Sequence, residues 1–105
     1  MNRQRLPDRR PSLTTSLTYD NQNYSVTLGF DVRNDRVAEV FTHGAKIGSG
    51  MDRLLDDACV ALSLLLQYGI EPAAFASSMA RLGDGKSPAS VIGALADLIV
   101  RETQA

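Results

Sequence analysis

Apolar residues in this chain recur at every second position through its first half and at every third or fourth through its second, and the change happens once, across the glycine-rich stretch Gly44 to Gly50. A period of two marks strands with one covered face, and a period near 3.6 marks amphipathic helices, so strands and helices are segregated along the sequence. Leu13, Thr15, Leu17 and Tyr19 share one face of a first predicted strand, with Thr14, Ser16 and Thr18 on the other. Asp20-Asn21-Gln22-Asn23 then supplies residues that tolerate left-handed backbone in a turn. A second strand from Tyr24 to Val32 points Tyr24, Val26, Leu28, Phe30 and Val32 one way and Ser25, Thr27, Gly29 and Asp31 the other. After the polar turn Arg33 to Arg36, Val37 to Thr42 makes a third strand whose mixed pattern leaves its inward face open.

Such a meander has one apolar face that something must cover. Ser49 or Gly50 caps a helix whose apolar positions Met51, Leu54, Leu55, Ala58, Leu62, Leu65 and Leu66 recur at three and four, with Gly69 as its left-handed stop. Glu71-Pro72 starts a short helix carrying Phe75, Met79 and Leu82 inward, and Gly83 to Lys86 breaks it. Ser87-Pro88 repeats the device before a last helix faced by Val91, Ile92, Leu95, Leu98 and Ile99, whose alanines and Gly93 permit close packing. The expected class is α+β: a three-stranded antiparallel β-meander followed by three α-helices packed on one face. At 105 residues the chain holds one core, taken as residues 12–105, behind an extended basic arm over residues 1–11.

That arm bears Arg3, Arg5, Arg9 and Arg10 against Asp8, while the whole chain has eleven Lys and Arg against twelve Asp and Glu, so the body is mildly acidic. Arg5, Arg9 and Arg10 are candidate partner-binding residues, because contacts to phosphate or an acidic surface need only charge and reach. Nucleic acid is disfavoured, since the acidic body repels a duplex. No apolar run approaches the length of a membrane span, and the single cysteine fits a reducing compartment, so the expectation is a cytoplasmic protein.

Reactive side chains are scarce. One histidine, His43, and one cysteine, Cys59, fall short of a zinc ligand set, so no metal and no cofactor are expected. His43, at a strand end, reads either as a residue that lines a pocket or binds a phosphate when protonated, or as a surface or capping residue. Cys59 reads as a small buried hydrophobe, and Asp56-Asp57 as solvated helix surface, because adjacent helical positions diverge by roughly 100°. In the loop before the main helix, Lys46, Gly48, Ser49 and Gly50 are the nucleotide or phosphate candidates: glycines for close backbone approach, a point charge, a hydroxyl donor and a helix N-terminus behind them. The same loop reads first as a tight strand-to-helix junction, with the phosphate site kept as a hypothesis, and it matches neither the P-loop nor the dinucleotide fingerprint.

Taken together, Arg5-Leu6-Pro7-Asp8-Arg9-Arg10-Pro11-Ser12, the Tyr24 to Phe30 strand, Val40-Phe41, Lys46, Gly48-Ser49 and the helix ending Ala61-Leu62-Ser63-Leu64-Leu65-Leu66-Gln67-Tyr68-Gly69 resemble the TSCPD domain. That family is found near the C-terminus of cobalamin-dependent class II ribonucleotide reductases and as small free-standing proteins. The similarity runs from about position 5 to position 80, and neither the Thr-Ser-Cys-Pro-Asp string nor a cysteine pair is present. The resemblance implies a non-catalytic accessory or regulatory module linked to deoxynucleotide synthesis, with a ribonucleotide reductase subunit or a nucleotide as partner. The reductase name comes with it, but no self-contained active site does. The alternative is a free-standing homo-oligomeric interaction domain, since three strands leave sheet edges unpaired and Leu64 and Val100 fall outside their main stripes.

Overall fold

The computed structural model describes Arg3, residues 11–44 and residues 50–104. Strands β1 (Ser12–Tyr19), β2 (Gln22–Asp31) and β3 (Arg36–His43) form an antiparallel sheet in the order β1-β2-β3, followed by helices α1 (Gly50–Gln67), α2 (Pro72–Ser77) and α3 (Val91–Gln104). This is the expected α+β arrangement. Asp20 and Asn21 carry φ of 51° and 62°, the left-handed pair that a two-residue hairpin turn demands, and the β1–β2 register runs unbroken from Tyr19 opposite Gln22 to Ser12 opposite Gly29.

The β2–β3 pairing is less regular and corrects the expected face of β2. Its register slips between Gly29 and Phe30, so the alternation inverts there: Asp31 is buried, and Val32, expected inward, is 53% exposed. Asp31 is not stranded. Its carboxylate accepts the Arg33 backbone N–H and a two-pronged bond from the Arg33 guanidinium at 2.8 Å, which holds the carboxyl below the usual range and closes the turn into β3. The inward face of β3, left open by its sequence, is set by Ala38, Val40 and Thr42, all buried, while Phe41 lies exposed on the opposite face.

Helix α1 stops where glycine permits it. Gly69, at φ 87°, donates to the Leu66 carbonyl and Ile70 to the Leu65 carbonyl, each at 3.0 Å, which together satisfy the last turn. Its buried stripe is Leu55, Cys59, Leu62 and Leu66. Met51, Leu54 and Leu65, expected inward, are exposed instead. The reason is lateral placement: α1 lies along β3, and a concavity separates its first turns from the start of α3, with Met51 and Leu54 on the wall.

Two further expectations are corrected beyond α2. Helix α2 ends at Ser77, so Leu82 is not carried inward and is 54% exposed, although Phe75 is buried and Met79 packs against the core. Ser87-Pro88 does not open α3, because Asp84 captures the backbone N–H groups of Lys86 and Ser87 and the Ser87 hydroxyl in a turn. Ser90 caps the helix in its place, its Oγ accepting the Gly93 N–H at 3.0 Å. Buried Ala94, Leu95, Ala96, Leu98 and Ile99 make α3 the interior helix, packed against α2, β1 and β3. Val100 is partly buried against the core rather than free for a partner. A bidentate pair from Arg81 to Asp97, at 2.6 and 2.8 Å, ties the preceding loop to this helix.

Candidate partner-binding groove

In the β2–β3 register, His43, Phe41 and Glu39 face the β2 partners Ser25, Thr27 and Gly29, which turns the backbone groups of Ala38, Val40 and Thr42 toward the open edge. Helix α1 presents Cys59, Ser63 and Gln67 to that edge at four-residue spacing, one per turn. The Val40 N–H donates to Ser63 Oγ at 3.0 Å, Gln67 Nε2 donates to the Ala38 carbonyl at 3.1 Å, and Thr42 Oγ1 lies 3.6 Å from Cys59 Sγ. The helix thus seals one edge of the sheet with side chains rather than with another strand. Gln67 is buried, and its other amide atom, Oε1, accepts Arg3 Nε at 2.6 Å, so both ends of the amide are used.

Over this row of contacts runs a groove of about 620 Å³ between α1 and β3. Its walls carry the carboxylates of Glu39, Asp52 and Asp56, and Phe41, Val60 and Leu64 offer exposed apolar surface beside them. His43 stands at one end, exposed and lining the groove. Cys59 lies at the base. Burial pushes its thiol up, the Thr42 hydrogen bond opposes that rise, and the Asp56 carboxylate adds a lesser upward push. A thiol held protonated in this way is a poor nucleophile, in keeping with its reading as a core residue. Among the described residues no group of three His, Cys, Asp or Glu side chains is placed to hold a metal ion. No described helix is long and apolar enough to cross a membrane.

A second concavity, about 540 Å³, lies between the end of the β1–β2 hairpin and the first turns of α1 and α3. Tyr19 and Tyr24 line it, the Tyr19 hydroxyl donating to the Pro88 carbonyl at 3.2 Å. Of the sequence-predicted phosphate residues, Gly50 is the first residue of α1 and exposed, while Lys46, Gly48 and Ser49 lie outside the described residues. Gly44 has a structural reason of its own: at φ 118°, a Cβ there would sit 2.6 Å from the Asn23 carbonyl oxygen. Arg5, Arg9 and Arg10 also lie outside the described residues, and Arg3 is the arm residue seen in the groove. Sequence reasoning overlooked Ser63 and Gln67. Their signal is a polar residue at each fourth position after Cys59, interrupting a run of leucines.

A family model described as the TSCPD domain matches residues 2–102. Over 68 residues the chain is 37% identical to the vitamin B12-dependent ribonucleotide reductase of Streptantibioticus cattleyicolor, a match covering 65% of this chain and 11% of that one. Enzymes of the same name from Streptomyces clavuligerus and Streptomyces coelicolor match equally, at 37% over 68 residues, with 7% of their length covered. The chain therefore spans only a small part of the curated relatives it matches. No solved structure matches. With all but a few residues of its length accounted for by one family model, the chain belongs to the TSCPD domain family.

Proposed function

We propose that this domain is a non-catalytic accessory or regulatory module of vitamin B12-dependent ribonucleotide reduction, docking on the reductase through the groove between α1 and β3. The observation that carries the reading is the groove's make-up. Exposed Phe41, Val60 and Leu64 give a desolvating surface, flanking carboxylates give it orientation, and the one thiol at its base is shielded. The full sequence has no second cysteine to form a redox pair with Cys59. Its likeness to short segments of large reductases supports a role beside their chemistry.

Binding of the purified domain to a vitamin B12-dependent reductase tests this by calorimetry or pull-down. Val60→Glu and Phe41→Glu place charge on the exposed apolar wall, and each weakens the complex at least tenfold while leaving the fold intact. Deleting residues 1–11 weakens it further if the arginine arm contributes. No association by the unmodified domain overturns the proposal. The nucleotide part of the reading rests on residues 44–50 and on the second concavity, which opens at the first turns of two helices. Titration with nucleoside triphosphate or inorganic phosphate then shifts the amide resonances of residues 46–50, and unmoved resonances remove that part alone.

A further inference from the structure

The two edges of the sheet are treated differently. Along β3, Ser63 and Gln67 occupy outward backbone groups. Along β1 no such cover is present among the described residues: Ser12, Leu13, Thr14, Ser16 and Thr18 are exposed, and the strand contains no charged residue, no proline and no bulge. Those are the devices by which proteins keep an edge from pairing. The tight turn makes Tyr19 and Gln22 a hydrogen-bonded pair, so Leu13, Thr15, Leu17 and Tyr19 bond to β2 while Ser12, Thr14, Ser16 and Thr18 aim their N–H and C=O groups outward.

From this edge we infer that β1 is the dimerisation strand, pairing antiparallel with β1 of a second copy about a two-fold axis at Thr15, to give a continuous six-stranded sheet. The strand is self-complementary in that register. Ser12 meets Thr18 and Thr14 meets Ser16 of the other copy, which closes up to about eight inter-chain backbone bonds. On the outer face this aligns small hydroxyl side chains, the same chemistry that already joins Thr14 and Thr27 across the β1–β2 pair at 3.0 Å. On the core face it sets Leu13 against Leu17 of the second copy. Leu13 was expected to be covered and is 39% exposed within one chain, although its strand neighbour Leu17 is buried. A leucine from across the axis supplies the missing contact. Any other register that keeps each face matched pairs fewer of the outward groups. The inference stands on this strand edge and is independent of reductase binding.

The test follows amide exchange and mass of the full chain across concentration. On raising concentration from low to high micromolar, the mass doubles and the amides of Thr14, Ser16 and Thr18 gain protection, while those of Leu13, Thr15 and Leu17 are protected throughout. Ser16→Pro removes an outward donor that the β1–β2 pairing does not use, and Ser16→Lys adds an edge charge on the solvent face. Each raises the dimer dissociation constant at least tenfold, and the circular dichroism of the lysine variant reports that the fold is retained. A monomer at several hundred micromolar overturns the inference. So does a dimer in which the even-numbered amides stay unprotected, or protection that comes only on adding a reductase.

Discussion

Replacing Gly44 by alanine tests whether the end of β3 is held by backbone approach. The residue lies at φ 118°, and the new methyl would stand 2.6 Å from the Asn23 carbonyl oxygen and 3.1 Å from the Tyr24 Cα. Positive φ costs a residue with a side chain about 1–2 kcal/mol, and forcing two backbone segments apart adds about 1–3 kcal/mol, as overpacking does in a core. The sum, about 2–5 kcal/mol, is a large share of the roughly 5–15 kcal/mol that holds a small domain together. It lowers Tm by about 10 °C or more, since each kcal/mol is worth about 4–8 °C at this size. Gly50→Ala is the matched control, because its Cβ meets nothing within 4 Å and its position is the first of α1. Alanine there is neutral or gains up to about 1 kcal/mol from helix propensity. Urea titrations of both variants, followed by circular dichroism, give the comparison. Equal midpoints for Gly44→Ala and the unmodified chain would show that close approach is not what the glycine provides.

Leu95→Ala, at a fully buried site on α3, costs about 2–5 kcal/mol, whereas Leu82→Ala, at an exposed site, stays within about 0.5 kcal/mol; chemical denaturation separates them. Ser63→Ala leaves the Val40 N–H without its acceptor and costs about 1–3 kcal/mol, with faster exchange of the Val40 amide as the local readout. Acid weakens the fold through carboxyls held below their ordinary range, Asp97 by the Arg81 guanidinium and Asp84, at about 2, by Ser87 and Lys86. Above the unfolded value of 3.8 this stabilisation is fully present, and the Asp84 share is lost as pH falls toward about 2, so Asp84→Asn flattens the acid limb of a stability profile measured by thermal melting.

The hairpin, the helix stop at Gly69 and the α+β order were legible because each is written in a local pattern: left-handed turn formers, a glycine after a helix, one change of period. What misled was anything set by neighbours distant in sequence. Val32 continues a perfect alternation, yet the register slip at Gly29 and Phe30 turns the strand over before it. Met51, Leu54 and Leu65 belong to an apolar stripe wider than the surface that receives it, because β3 alone carries most of the contact. Ser87-Pro88 is a good helix start that a stronger local competitor, Asp84, takes for a turn. At the groove, Cys59 is buried as its sequence reading had it, but Ser63 and Gln67 carry meaning only once the edge of β3 lies beneath them.

The bonds from Ser63 and Gln67 to the β3 backbone have a consequence for how α1 is clocked about its own axis. Leucine packing tolerates a roll of some tens of degrees, since apolar contact is non-directional, whereas hydrogen bonds to fixed backbone atoms do not. The rotational setting of α1 is therefore dictated by its polar teeth engaging the strand like a rack, and its leucines fall wherever that setting leaves them. Relatives that exchange Gln67 for an apolar residue should show the cylinder turned, and with it a different set of side chains offered to solvent.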